Sequence, residues 1–221
     1  MNSKTFFSLI APAKLNLFLH INARRDDGYH ELETLFTFLN FGDELSFELT
    51  DESSILITGD TKDIPLEDNL IYKAALMLQT DTKTKHGVKI NLIKRLPMGG
   101  GVGGGSSDAA TTLLALNKLW NINYDINKLA NLGLQLGADV PVFIRGESAI
   151  AQGIGEKLHR VELAQKWYCV VHPNQHVSTA KIFTHPDLKR DTPKISGDWK
   201  QQTLHNDCEP LVKKLCPEVE K

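Results

Sequence analysis

The chain has 221 residues, 41% of them hydrophobic and 24% charged, enough for a sizeable core and unlike a disordered or fibrous polypeptide. A net charge of −2 and a pI near 6.4 leave no basic footprint for nucleic acid, and no apolar run approaches the roughly 20 residues of a membrane span. Cys169, Cys208 and Cys216 form no C-x-x-C pair and the N-terminus carries no cleavable signal pattern, so a reducing cytoplasm is expected, without a disulfide framework or structural zinc.

In chain order, residues 14–22 alternate strictly, with Leu15, Leu17, Leu19 and Ile21 on one face and Lys14, Asn16, Phe18 and His20 on the other, which predicts a half-buried strand. Asp26-Asp27-Gly28-Tyr29-His30 carries the Asp-Gly signal of a tight turn. It reads either as an ordinary loop with an exposed aromatic or as a Tyr-His pair that stacks a planar base and hydrogen-bonds its edge. Further strands are predicted at 32–39, 43–50, 55–58 and 87–94, with a helix from Asn69 to Gln79 between the last two. Helices follow near 107–120 and 125–136, the latter closed by Gly137 as a C-cap. Residues 138–144 read as a turn feeding an apolar strand. Strand-like Glu147–Gln152 and Trp167–His172 are separated by Gly153-Ile154-Gly155, which places a domain boundary near 153, between an N-terminal domain at 1–153 and a C-terminal domain at 154–221. From 205 onward the chain reads as a helix capped by Asn206 or Asp207 and ending at Cys216-Pro217.

The most specific stretch is Pro97–Ala110, with six glycines between Gly99 and Gly105 followed by Ser106, Ser107 and Asp108, all N-cap types, and then by an amphipathic helix. Without Cβ atoms the chain can take positive φ and lay its amides against a bulky anion, which also meets the positive end of a helix dipole. The P-loop pattern fails, because Gly105 stands where that motif needs lysine. Gly99, Gly101 and Gly104 satisfy G-x-G-x-x-G, yet the strand ending in a ribose-binding acid that a dinucleotide fold requires is replaced by a helix at 125–136. H-R-D and D-F-G, the partners of a protein-kinase glycine loop, are missing. A plain glycine linker is disfavoured by its flanks, an alternating strand and a capped helix.

A phosphate site asks for a cation to balance transferred charge and a carboxylate to steer a hydroxyl. Lys14, at the head of its strand, and Asp139, between Gly137 and Pro141, have those chemistries, although alone they would read as a solvated edge charge and a turn former. With a carboxyl pKa of about 3.9 against roughly 15.7 for a water-like hydroxyl, full deprotonation in advance would be uphill by roughly 16 kcal/mol. Asp139 is therefore expected to orient the hydroxyl while Lys14 stabilises its developing charge. The histidines other than His30 (His20, His86, His159, His172, His176, His185 and His205) show no metal-ligand spacing, and no metal-binding residues are assigned.

Pro12–Leu17, Asp27–His30, Pro97–Ala110 and Leu136–Phe143 together resemble the kinases of the galactose, homoserine, mevalonate and phosphomevalonate superfamily, and the likeness continues through Trp167-Tyr168, Val171–Pro173, Lys181–Phe183 and Asn206–Pro210. The resemblance implies an α+β two-domain fold: an N-terminal α/β domain like ribosomal protein S5 domain 2 and a ferredoxin-like C-terminal domain, with substrates in the cleft between. The latter is expected to be incomplete, because family members continue into a second glycine-rich segment where this chain ends. It implies ATP-dependent phosphorylation, in the non-mevalonate isoprenoid route, of the 2-hydroxyl of 4-diphosphocytidyl-2-C-methyl-D-erythritol. By matched position Lys14 and Asp139 are the catalytic pair. Pro97, Gly99, Gly100, Gly101, Gly103, Gly104, Gly105, Ser106 and Ser107 hold ATP phosphates, with Asn69, Leu70 and Lys94 near the nucleotide. Asn16, Tyr29, His30, Thr179 and Phe183 line the substrate pocket. Mg²⁺ is expected with ATP. Rival readings are a superfamily kinase acting on another small alcohol, such as mevalonate or homoserine, and a nucleotide-binding module without catalysis.

Overall fold

The structure, a computed structural model, describes residues 6–61 and 64–220. It begins with two long paired strands, β1 (Phe6–Arg24) and β2 (His30–Thr50), joined by a tight turn in which Gly28 takes φ +86° and the Arg25 amide donates to the Tyr29 carbonyl at 2.8 Å. The strands expected at 32–39 and 43–50 are one. Gly42 does not interrupt β2, because its missing Cβ lets the strand lie against the Ala11 carbonyl where a side chain would collide. The described chain forms two compact units interleaved in sequence. The first takes residues up to Ala13, Leu39–Leu96 and Gly103–Gly146, and the second takes Lys14–Phe38, Pro97–Val102 and the chain from Glu147 onward.

In the first unit β3 (Ile55–Gly59) pairs parallel with β4 (Gly87–Ile93), which pairs antiparallel with the end of β2 from Glu44↔Ile93 to Thr50↔Gly87, giving a mixed sheet in an α+β fold. Val88, Ile90 and Leu92 of β4 are buried with Leu45 and Phe47. Helices α1 (Leu70–Thr82), α2 (Gly104–Leu119), α3 (Ile126–Leu134) and α4 (Val140–Arg145) pack with one another, and Ile71, Leu78, Leu113 and Leu116 are buried among them. Asn69 caps α1 by accepting the Ile71 amide at 2.9 Å, and Asp125 caps α3 by accepting those of Asn127 and Lys128.

Three local expectations are corrected here. Helix α2 starts at Gly104, with Gly103 at φ +75° as its N-cap, so Ser106, Ser107 and Asp108 lie inside the helix instead of capping it. Gly137 is not a left-handed C-cap, since α3 stops at Leu134 and the Gly137 amide donates back to the Gly133 carbonyl at 3.2 Å. The apolar run expected as a strand at 138–144 is largely α4. Pro141 sits in its first turn, where a missing N–H costs nothing, and Gly146 at φ +67° ends it. A buried run that is apolar all round has no periodicity to tell helix from strand.

In the second unit β2 pairs antiparallel with β5 (Ala149–Gly153), from Leu32↔Gly153 to Phe36↔Ala149, and β5 with β6 (Lys157–Arg160). The strand expected at Trp167–His172 is not formed: among the described residues it has no ladder partner, and Trp167 is fully exposed. Helices α5 (Thr179–Thr184) and α6 (Glu209–Leu215) bring Ile182 and Leu211 onto Ile21 and Leu188. Both faces of β1 are covered, since Phe18 and His20 are buried as well as Ile21. Asp207 accepts the Ile21 amide at 2.7 Å instead of capping the last helix, which starts two residues later, while Asn206 accepts the Cys208 amide at 3.0 Å. Among the described residues no helix is long and apolar enough to cross a membrane.

Candidate active site

In the first unit the residues expected near a nucleotide are close together. A Cβ on Gly105 would meet the Leu70 side chain at 3.4 Å, and one on Gly104 would meet the Lys94 ammonium at 3.2 Å. Asn69, which caps α1 next to Leu70, is buried. The first-turn amides of Gly104, Gly105 and Ser106 have no intrahelical acceptor by geometry, and among the described residues they donate to none. The Ser107 hydroxyl is buried without a partner. Amides that cannot be satisfied internally, on a helix whose dipole places partial positive charge there, make an anion site.

Lys94 is not free to embrace a ligand on its own. Its ammonium is held between the buried carboxylates of Asp43 at 2.5 Å and Asp108 at 2.8 Å, and the other Asp43 oxygen accepts the amides of Arg95 and Leu96 at 2.6 and 2.7 Å. Burial pulls the Lys94 ammonium down, but Asp108 and Asp43 outweigh it and its pKa lies above the usual lysine range. Burial pushes the Asp108 carboxyl up to about 7, against the pull of Lys94, and its Oδ1 is buried without a partner. No local pattern signals this cluster, because Asp43 and Asp108 stand 51 and 14 residues from Lys94. Asp139 precedes α4, half-buried, and its carboxylate does not cap that helix.

In the second unit the loop from Pro97 to Val102 has Gly99 and Gly101 at φ +72°. Two of its carbonyls are tied: Gly99 accepts the Val177 amide at 3.4 Å and Val102 accepts the Lys14 amide at 2.9 Å. A side chain on Gly99 would strike the His176 ring, and a Cβ on Gly100 would sit 3.2 Å from His172. Lys14 is buried, not a solvated edge charge. It donates to Asn16 Oδ1 at 2.5 Å and lies 5.2 Å from the centre of the Phe36 ring, and Asn16 in turn donates to Thr34 at 2.7 Å. The strand period that puts Lys14 and Asn16 on one face thus fixes the ammonium.

Tyr29 is exposed at the hairpin tip, whereas His30 is buried with its ring 5.2 Å from that of Phe183 on α5. Thr179 opens α5 and is exposed, the capping oxygen coming from Ser178. Sequence reasoning missed Arg190, which donates to His30 Nε2 at 2.9 Å and to the carbonyls of Phe183, His185 and Leu188. Burial lowers the His30 pKa, with Arg190 and Arg24 adding to the effect. Among the described residues no group of three or more His, Cys, Asp or Glu side chains is arranged to hold a metal ion.

The family described as GHMP kinases N terminal domain matches residues 69–147, from the α1 cap through the glycine loop and past α4. The chain is 79% identical over 221 residues to the 4-diphosphocytidyl-2-C-methyl-D-erythritol kinase of Pseudoalteromonas translucida (strain TAC 125), covering 100% of this chain and 78% of that protein. It is 61% identical over 212 residues to the protein of the same name from Tolumonas auensis, covering 96% and 74%. A crystal structure of a 4-(cytidine 5'-diphospho)-2C-methyl-D-erythritol kinase is similar at a TM-score of 0.76 and 33% identity, over 97% of this chain and 80% of that one.

Proposed function

The chain belongs to the 4-diphosphocytidyl-2-C-methyl-D-erythritol kinases, a branch of the GHMP kinases, and from that premise we propose a role for each part of its site. It is an ATP-dependent kinase acting on 4-diphosphocytidyl-2-C-methyl-D-erythritol, and the phosphoryl group goes to the 2-hydroxyl. The observation that carries the reading is the set of partnerless amides at Gly104, Gly105 and Ser106, where the glycine loop meets α2. The loop from Pro97 to Ser107 takes the phosphates of ATP, with Asn69, Leu70 and Lys94 beside the nucleotide.

Lys14 and Asp139 form the catalytic pair in this reading. The Lys14 ammonium, held by Asn16, stabilises charge developing on the attacking oxygen, and Asp139 orients the hydroxyl and receives its proton as the bond to phosphorus forms. Proton transfer cannot precede that bond, given the gap of roughly 12 pKa units between carboxyl and alcohol. Mg²⁺ keeps several waters and is commonly held through substrate phosphates, so bound with ATP it would supply charge neutralisation at the transferred group. His30 and Phe183 bind the cytosine base, with Asn16, Tyr29 and Thr179 completing the substrate pocket. The domain division near residue 153 and the likeness of the two parts to ribosomal protein S5 domain 2 and to a ferredoxin fold belong to the same proposal.

Two measurements test it. Steady-state assays with ATP should show turnover of the cytidine diphosphate alcohol and none of mevalonate or homoserine. Turnover of either alternative in its place, or of no alcohol, would overturn the substrate or the catalytic assignment respectively. A crystal grown with a non-hydrolysable ATP analogue and the cytidine substrate should show the triphosphate on the amides of Gly104–Ser106, and a triphosphate bound elsewhere would remove the basis of the reading.

A further inference from the structure

We propose that Arg190 is a positioning residue that fixes the tautomer of His30, and thereby makes the base site accept cytosine and refuse uracil. The inference rests on the reading of His30 and Phe183 as the base site, and it adds to that reading a residue and a reason for specificity.

The argument starts from what a guanidinium can be. Arginine stays protonated throughout the physiological range and has only donors. Its Nε–H points at His30 Nε2 from 2.9 Å, so that ring nitrogen must offer a lone pair. A neutral imidazole has one proton, which is therefore on Nδ1. Ordinarily the position of a histidine proton is a matter of assignment, but here the partner leaves no choice. Protonating Nε2 as well would break this bond and face the new N–H toward Arg190. His30 accordingly has its pKa lowered by burial, with Arg190 and Arg24 reinforcing it, and stays neutral at pH 7.5.

Arg190 is itself immobilised. Its Nη1 donates to the Leu188 carbonyl at 2.9 Å, and its Nη2 donates to the carbonyls of Phe183 at 2.9 Å and His185 at 2.6 Å. The same fork thus orients the imidazole and anchors the end of α5 that carries Phe183, whose ring lies 5.2 Å from His30 at 55°. On the other side of the imidazole, Nδ1 has no protein partner among the described residues. Both ring nitrogens of His20 are fully buried orphans, whereas Nδ1 of His30 is not sealed in the same way. The site therefore presents a donor, Nδ1–H, next to an aromatic face.

The ring nitrogen N3 of cytosine is an acceptor and that of uracil is an N–H donor. Against a fixed donor, cytosine completes a hydrogen bond, while uracil sets two donors against each other in a partly desolvated place. Sites built on such polar matching discriminate strongly, because a mismatch leaves buried groups unpaired. A histidine free to change tautomer could accept from uracil and would lose that discrimination.

The test uses the full chain. In protein labelled with ¹⁵N-histidine, long-range ¹H–¹⁵N correlation at pH 7.5 should show the His30 signal, assigned by its loss in His30→Gln, with a protonated Nδ1 and an unprotonated Nε2. A protonated Nε2 would overturn the proposal. This readout needs no variant at Arg190 and no substrate, so it stands even if Arg190→Met folds poorly. In kinetics, Arg190→Met should reduce the kcat/KM preference for the cytidine alcohol over its uridine counterpart at least tenfold, with the KM for ATP within twofold. In the His30→Gln background the same change should move the preference less than twofold. An equal loss in both backgrounds would mean that Arg190 does not act through His30. Failure of the wild type to take the cytidine alcohol would count against the functional reading alone, since the spectrum reports the proton position without substrate.

Discussion

Lys94 in the first unit and Arg190 in the second are both cations held by several acceptors, yet their surroundings balance differently. Lys94 is a single ammonium shared by two buried carboxylates, which leaves excess negative charge and an Asp108 oxygen with no partner. Arg190 faces three carbonyls and an imidazole, all neutral acceptors, and its one positive charge meets no competing demand. Asp207, nearby in sequence, shows the same completeness, one oxygen accepting from Ile21 and the other from Thr192 and His205. An oversubscribed charge is sensitive to pH and to any ligand that alters its field, whereas a satisfied one holds geometry.

The most damaging way to break that contrast is Asp43→Ala, which leaves the Lys94 ammonium to Asp108 alone and removes the acceptor for the Arg95 and Leu96 amides. A buried donor left without its acceptor costs roughly 1–3 kcal/mol, so the two together should visibly lower the denaturant midpoint. Lys14→Ala in the second unit and Asp139→Asn in the first should each reduce kcat at least about a hundredfold, equivalent to roughly 2.7 kcal/mol, with the fold intact by circular dichroism. Near-normal turnover in both would refute the catalytic pair.

The oversubscription itself is read by pH. Asp108 titrates near 7 in the folded protein and near its ordinary value of 3.8 when unfolded, so the folded state holds the extra proton between those values. Its contribution is therefore fully present below about pH 4 and lost as pH rises through about 7, at a slope approaching 1.4 kcal/mol per pH unit. Asp108→Asn should flatten that part of the stability curve, measured by urea unfolding from pH 4.5 to 8. A curve that keeps its slope would show that Asp108 is ionised throughout. The smallest expected effect is at Gly101, where φ is +72° but a Cβ has open space, so Gly101→Ala should cost only the left-handed strain of about 1–2 kcal/mol. Gly99→Ala adds a collision with His176 to the same strain and should raise the KM for ATP further.

What the sequence disclosed was local. The glycine run, the helix starts at Asn69 and near 125 and the alternation of β4 are written in neighbouring residues, and α1, α3 and β4 lie within a few residues of where those patterns predict. Lys14, Asn16 and His30 were legible as candidates because short motifs surround them. Their settings were not: the partner of His30 is 160 residues away and the partners of Lys94 are 51 and 14 away. Periodicity reports which face of an element is apolar, and says nothing of which distant polar group will meet it. It also misleads where both faces are covered, as at Phe18 and His20 of β1, or where an apolar run is short, as in α4.

The bond from the Lys14 amide to the Val102 carbonyl has a dynamic consequence. A single peptide group in the middle of the glycine stretch is pegged to the backbone of the lysine proposed to act on the attacking oxygen, so displacement of that peptide is felt by the Lys14 backbone before any side chain moves. Deuterium uptake at this one position is consequently a gauge of loop seating, and slower uptake on adding nucleotide would time the arrival of the phosphates against the readiness of the ammonium.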